Sequence, residues 1–543
     1  MYNRIGEILM EEKLISQDEL TLCLEYKKIN PEEHLGSILR YHGFINDHQL
    51  ASSLSKQIQW KNFNREYIPD FEAIDKVGLD YFSKNQIFPL KNGSTPSFVV
   101  SFVDNVEVTD FLKDSFGNEG INFYIGAECD VRNALDLIVL EQKRHELLSE
   151  IETLKSEGID SIASWLNGMI NLAIITRSTD IHIEPTEKTT NIRFRIDGIL
   201  SPITCIKKNF ISKIANIILN KCKGNPCDFT IQDGRFYHEF PEMAKVVDVR
   251  FSQIPNIYGP GIVLRLLDKD RASIPLESLG YSLQNRELID QAIITPHGLV
   301  LVTGPTGSGK STTLAAILNQ IKSIGKKILT IEDPVEITHS LMSQVEVDLA
   351  HHMTFGAAIR AFLRHDPDAL FVGEIRDKET AEEAFRAANT GLQVFSTLHT
   401  NNPISAILRL KDLGVETDKI SSSLVGVISQ RLVRKLCPHC KTPRRITKAD
   451  LKLYQAKYLT EDVQSTFEAV GCSRCRNGYL GRTVVAEVLI ITPDIREIIG
   501  RNALGEIYSL IRNQGTYRTM VHDMQSLVLK GDTSIEEAVR ILG

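Results

Sequence analysis

An apolar run, Leu299 to Val302, is followed by Gly304, Pro305, Thr306, Gly307, Ser308, Gly309, Lys310, Ser311 and Thr312, and then by a helical pattern with Leu314, Ile317, Leu318 and Ile321 on one face. This is G-x-x-x-x-G-K-[ST] in its strand–loop–helix setting, and it constrains the chain more than any other feature. Glycines admit positive φ, so successive backbone N–H groups point inward at phosphate oxygens. The helix N-terminus adds a positive dipole end. Lys310 is placed to reach the β- and γ-phosphates, and Ser311 to hold Mg²⁺. The expected fold class is therefore α/β, with a P-loop domain of alternating helices and parallel strands from about residue 276 to 543. Its strands are read at Leu299–Val302, Ile328–Ile331, Ala369–Val372 and Val394–Thr397, and the last 60 residues read as helices.

At 543 residues the chain has room for several domains. Residues 1–60 contain a tandem repeat: Arg4-Ile-Gly-Glu-Ile-Leu9 returns as His34-Leu-Gly-Ser-Ile-Leu39, and Leu20 and Leu24 return as Leu50 and Leu54. Residues 61–140 read as a small α/β domain and 141–159 as a charged helical linker. Residues 160–275 begin with a helix near Ile162–Ile175 and continue in strands at Asp180–Glu184, Thr190–Ile196 and Lys245–Phe251, with Asp197-Gly198 as a hairpin turn. A net charge of −7 gives no electrostatic footprint for nucleic acid, which argues against a helicase. No apolar run approaches the ~20 residues of a membrane span, and the N-terminus lacks an apolar signal region, so a cytoplasmic protein is expected.

Cys437-Pro-His-Cys440 and Cys472-Ser-Arg-Cys475 are two C-x-x-C pairs, which together supply four thiolates for a tetrahedral structural Zn²⁺. Redox motifs rarely come as two facing pairs, and His439 is surplus to a complete site. The long interval requires a helical excursion near Lys448–Gln464 within the insertion 437–475.

Acidic residues follow the predicted strands: Glu332, Asp333 and Glu336 after one, Glu374 after another. A carboxylate at that edge can hold Mg²⁺ or polarise water, and the general base is expected among Glu336, Glu332 and Glu374. For Asp333 a helix-capping role is equally open. His399 follows a further strand and is a candidate γ-phosphate sensor. Arg193 and Arg195 alternate with Phe194 and so share a strand face, with Arg250 and Arg265 on later strands. They either stabilise phosphoryl charge across a subunit interface or pair with Asp180, Glu184 or Asp197 in their own module.

Taken in order, these segments resemble the type II secretion and type IV pilus assembly ATPases. Thr330-Ile-Glu-Asp-Pro-Val-Glu336 is similar to the family's aspartate box, and Arg364 to Asp377, with Glu374, to its Walker B region. Thr390 to Asn401, with His399, is similar to its histidine box, and Asp180 to Pro185 with Arg193 to Gly198 to its PAS-like second N-terminal domain. The resemblance implies a RecA-like ATPase using ATP and Mg²⁺, a homohexamer, and an inner-membrane platform protein as partner, with the enzyme peripheral at that membrane. It favours Glu336 as base, Glu374 on the metal side, and at least one of the four arginines at nucleotide. With a four-cysteine insertion and extra N-terminal domains it implies a type IV pilus extension motor, with the type II secretion ATPase as the alternative. One departure is Leu392, where the family's box carries a histidine. The N-terminal repeat resembles a helical module that in some relatives binds cyclic di-GMP. His34 stands opposite Arg4, Lys27 opposite Gln57 and Lys13 opposite Gly43, so the residues favour a protein-docking module instead.

Overall fold

Four short helices come first: Ile5–Glu11, Gln17–Ile29, Leu35–Tyr41 and Asp47–Ile58. The repeat has a packing cause. A Cβ on Gly6 would sit 2.8 Å from Leu20 Cδ1, and one on Gly36 2.8 Å from Leu50 Cδ1. In each copy a helix backbone lies directly on the leucine of the next helix, so the glycine cannot be replaced without moving that leucine. The computed structural model describes all residues except 1–3, 64–66, 94, 102–105, 118–119, 153–158, 225–229, 244, 268–273, 447–464, 473–474 and 515–516. The expected excursion at Lys448–Gln464 lies outside the described residues. The chain divides into two compact units, Met1–Lys269 and Asp270–Gly543.

In the first unit a four-stranded sheet runs in the order Lys61–Asn62, Asn122–Ile125, Ser97–Val100, Ile87–Leu90. The helix Glu128–Glu152 continues from it, and Val139 and Leu147 join the core of the following module. That module is a six-stranded antiparallel sheet. Its order is Ile199–Lys207, Thr189–Ile196, Ser178–Pro185, Gly259–Leu267, Lys245–Asn256, Gln232–Phe240. Asp197 and Gly198 turn the first hairpin at φ 48° and 86°, as a two-residue turn with positive φ requires. Helices Ile159–Ile175 and Phe210–Lys221 cover one face, where Ile192, Phe194, Val249, Phe251 and Leu264 are buried. Strand alternation sends Arg193, Arg195, Arg250 and Arg265 to the opposite face.

The second unit holds a seven-stranded sheet. Its order is Met342–Glu346, Ile328–Glu332, Ala369–Val372, Gln393–Leu398, Gly298–Thr303, Leu424–Leu436, Tyr479–Ile490. All neighbours are parallel except the last pair. The central strands are buried on both faces, between helices that include Lys310–Ile321 and Lys378–Asn389. The strands Leu424–Leu436 and Tyr479–Ile490 were not expected from the sequence. The second of them corrects the reading of the last 60 residues as helices alone: four helices, beginning at Pro493, follow it.

Candidate nucleotide site and metal centre

Parallel strands end on one edge, and that edge collects the chemistry. In spatial order it carries Glu332, then Gly373-Glu374, then His399, then the loop at Gly304, then Gln430 and Arg431. The strand Gln393–Leu398 lies between the strand before Glu374 and the strand before the phosphate loop, and it brings His399 to the same edge, where Glu374 acts on the Lys310 charge.

The loop itself is held open by its backbone. Gly304 has φ 152°, and a Cβ there would lie 2.5 Å from the Gln430 carbonyl. A Cβ on Gly307 would meet nothing within 4 Å, so the loop's centre faces open space. Lys310 Nζ donates to the carbonyls of Gly304 at 2.9 Å and Pro305 at 3.2 Å, which keeps the ammonium folded over the loop. Burial and Arg431 lower its pKa, while Glu374 opposes them. Ser311 is exposed at the first turn of the helix. An open cradle, a folded-over ammonium and a free hydroxyl at a helix N-terminus fit a Mg²⁺-bound triphosphate.

Glu374 is positioned through its neighbours. Gly373 N–H donates to Ile331 O at 2.8 Å, Thr397 Oγ1 to Gly373 O at 2.7 Å, and Ile375 N–H to Thr397 O at 3.0 Å. Its carboxylate pairs with Arg376 and lies 3.6 Å from His399 Nε2. Burial and the Lys310 charge lower the pKa of His399, which favours neutral imidazole there. Glu332 accepts from Thr330 Oγ1 at 2.7 Å and Gln344 Nε2 at 3.0 Å, and burial raises its pKa. Both bonds hold it within the sheet edge, whereas Glu336 is exposed on the loop beyond. Asp333 caps no helix; it lies 3.9 Å from Arg376. Leu392 sits at the opposite, N-terminal end of its strand, packs on the core and accepts from Gly298 N–H at 2.9 Å. The departure from the histidine box is thus on the far edge from His399.

The sequence reading missed two side chains here: Gln430 braces the phosphate loop, and Arg431 the segment after His399. Gln430 Nε2 donates to Ser308 O at 2.8 Å, and its Oε1 accepts from Tyr281 OH at 2.7 Å and Thr313 Oγ1 at 3.1 Å. Arg431 donates to Asn401 Oδ1 at 2.9 Å. Neither lies in a motif. Only the parallel strand Leu424–Leu436, paired directly to the strand before the loop, brings them there.

The arginines of the first unit are partly paired. Arg193 makes two bonds of 2.7 Å to Glu184. Asp180 is shared by Arg265 at 3.1 Å and Arg195 at 3.7 Å. Arg250 stands in register between Arg265 and Arg235, and among the described residues no carboxylate lies within ion-pair distance of it.

The four cysteines converge. Cys437 and Cys472 sulfurs are 3.9 Å apart; Cys440 and Cys475, and Cys472 and Cys475, are each 3.6 Å apart. A tetrahedron with metal–sulfur bonds of ~2.3 Å has edges of about 3.8 Å. Backbone N–H groups of Gly471 and Cys472 point at the sulfurs of Cys440 and Cys475, at 3.3 and 3.2 Å. Burial raises the Cys437 and Cys475 thiols, so four thiolates this close call for a divalent charge at their centre. His439 is not among the converging groups. The hairpin of Thr442–Arg445 and Ser465–Glu468 carries this loop onto the C-terminal helices, through Arg444 to Glu536 at 2.9 Å and Lys441 to Gly531 O at 2.7 Å.

Fold and site together define a RecA-like P-loop ATPase with a four-cysteine insertion. Of solved structures, the ATPase DotB of Legionella pneumophila shares this fold at 22% identity and a TM-score of 0.51, over 69% of this chain and 95% of its own. The family model described as type II/IV secretion system protein matches residues 155–540. Type II secretion system protein E of Aeromonas hydrophila is 42% identical over 416 residues, 76% of this chain and 81% of its own. The type IV pilus assembly ATPase PilB of Thermus thermophilus is 32% identical over 588 residues, 99% of this chain and 66% of its own. The chain belongs to this family of secretion and pilus-assembly ATPases and hydrolyses ATP. Among the described residues no helix is long and apolar enough to cross a membrane.

Proposed function

We propose that this protein is the ATP-driven motor of a type II secretion system, cytoplasmic and peripheral at the inner membrane, where it works on a platform protein as a homohexamer. The supporting observation is the 42% identity to a type II secretion protein E, against 32% to the pilus assembly ATPase. That ordering reverses the preference drawn from the sequence. The pilus reading remains second on one observation: the pilus ATPase aligns with 99% of this chain, N-terminal repeat included, whereas the secretion protein aligns with 76%. Deleting the gene separates them. Loss of secreted enzymes with surface fibres intact supports secretion, and loss of surface fibres alone refutes it.

In the proposed mechanism the loop Gly304–Thr312 holds the phosphates of ATP through backbone N–H groups. Lys310 leaves its two carbonyl partners for phosphate oxygens. Ser311 and Glu374 are the residues that would hold Mg²⁺, which would supply charge neutralisation at the transferring phosphoryl group. Glu336 is the proposed base, since it is exposed on the loop beyond the sheet edge. Glu332 is tied to Thr330 and Gln344, and Glu374 to Arg376, so each is less free to take up a proton from water. His399, beside Glu374, is the proposed sensor of the terminal phosphate. Of the four arginines, Arg250 is the first candidate to act on a neighbouring subunit's nucleotide, because Arg193, Arg195 and Arg265 already have carboxylate partners. Zn²⁺ in the four-cysteine loop is structural, since four protein ligands leave no open position. The N-terminal repeat is proposed to dock protein rather than cyclic di-GMP, and no nucleic acid is a partner.

A further inference from the structure

The helix Asp47–Ile58 ends the second repeat, and the helix Glu128–Glu152 follows the small four-stranded sheet. Their N-termini meet. Cys129 N–H donates to Asp47 Oδ2 at 3.2 Å, and Arg40 bridges Asp47 Oδ1, at 2.9 Å, to Glu128. Three side chains of different chemistry converge at this junction. Cys129 Sγ lies 3.8 Å from His48 Nε2 and 3.8 Å from Asp130 Oδ1. His48 Nδ1 lies 3.7 Å from Asp130 Oδ2. One ligand atom from each residue falls within 4.8 Å of the other two.

One nitrogen of His48 serves one ion, so the three ligand atoms as they stand lie within 4.8 Å of one another, and the exposed His48 and Asp130 side chains turn inward to close around it. Bonds of about 2.0–2.3 Å in a tetrahedron put neighbouring ligand atoms roughly 3.3–3.7 Å apart. We propose that His48, Cys129 and Asp130 form a second metal site, for a divalent ion of borderline softness such as zinc. An imidazole, a thiolate and a carboxylate carry two negative charges once the thiol proton has left to solvent, which matches a divalent cation. The sulfur disfavours Mg²⁺ and Ca²⁺, which take oxygen ligands, and the mixed N, S and O set suits zinc. The site is reachable, because the His48 and Asp130 side chains are 67% and 40% exposed. It is also braced before the ion arrives. Asp47 holds the Cys129 peptide and Arg40 holds Asp47, an outer layer of the sort that orients metal ligands. With three protein ligands the fourth position is left to water. Because His48 belongs to the helical repeat and the other two to the helix after the small sheet, the ion ties these two parts of the chain together.

Elemental analysis of the full chain, purified without chelator and equilibrated with buffered Zn²⁺, tests this. His48→Ala and Cys129→Ser should each bind one equivalent of zinc per chain fewer than the unaltered protein. With Co²⁺ as probe, each should show less thiolate-to-cobalt charge-transfer absorbance than the unaltered chain. His48 is mostly exposed, so His48→Ala tests the site even if the cysteine variant fails to fold. Zinc content in His48→Ala equal to that of the unaltered protein would overturn the proposal. Because the readout is a difference, a failure of the four-cysteine cluster to bind zinc would leave it intact.

Discussion

Gln430→Leu removes the brace under the phosphate loop. Three bonds vanish: the donation to Ser308 O and the two accepted from Tyr281 and Thr313. Tyr281 OH and Thr313 Oγ1 are 2.9 Å apart, so one can donate to the other, which leaves one hydroxyl proton without an acceptor. The Ser308 carbonyl loses its donor as well. Each orphaned buried group costs about 1–3 kcal/mol, so the second unit should lose roughly 2–6 kcal/mol. The catalytic effect is separate. In the proposed mechanism the loop's backbone N–H groups hold phosphate, and a shift of about 1 Å in such groups can cost ~10²-fold in rate. Both tryptophans, Trp60 and Trp165, precede residue 270, so denaturation should be followed by circular dichroism rather than tryptophan fluorescence. Gln430→Glu is the companion variant. It keeps an acceptor for both hydroxyls but sets a carboxylate against the Ser308 carbonyl, so it should weaken ATP binding more than it weakens the fold. An unchanged unfolding midpoint together with unchanged kcat/KM for ATP in Gln430→Leu would refute the reasoning.

Changing Cys437, Cys440, Cys472 and Cys475 to Ser should remove one zinc per subunit and, since structural zinc carries ~10 kcal/mol or more of local folding energy, cost solubility before nucleotide binding; unaltered metal content would contradict this. Arg250→Ala and Lys310→Ala subunits, each inactive alone, should recover some hydrolysis when mixed, because a finger acting across an interface is worth ~10³–10⁵ in rate; mixed rings as inactive as their parents would argue against action in trans. Stability of the first unit should fall as the pH drops below the ordinary histidine range. His238 is buried against Asn171 with its pKa lowered to about 4, so the unfolded chain takes up a proton that the folded one refuses, down to that value. The loss from pH 7 to about pH 5 should be roughly 2 kcal/mol, and His238→Gln should flatten it.

The phosphate loop, the hairpin turn at Asp197-Gly198 and the four cysteines were legible because each depends on residue types at fixed short spacing. Gly6 and Gly36 were legible as a repeat for the same reason, and their packing on Leu20 and Leu50 explains the spacing. What the sequence hid depends on strand order. Nothing local says that Gln393–Leu398 lies between the strand before Glu374 and the strand before the loop. Nor does anything local say that Leu424–Leu436 pairs with the strand before it and so delivers Gln430 and Arg431. Residues 484–490 of the strand Tyr479–Ile490 fell in the stretch read as helical; they are apolar but for Glu487, a pattern shared by buried strands and buried helices. The arginine row was half legible. Alternation put Arg193 and Arg195 on one face, but only the register across the sheet shows Asp180 shared between Arg195 and Arg265 and, among the described residues, Arg250 left without a carboxylate.

The most direct test of the account is Mg²⁺-dependent steady-state ATP hydrolysis by the full chain beside its Lys310→Ala variant. Among the described residues Lys310 donates hydrogen bonds to the loop carbonyls of Gly304 and Pro305 and takes no part in the core, so the variant should keep its circular dichroism spectrum and lose turnover. Hydrolysis at the unaltered rate by a folded Lys310→Ala protein would contradict the assignment of the site.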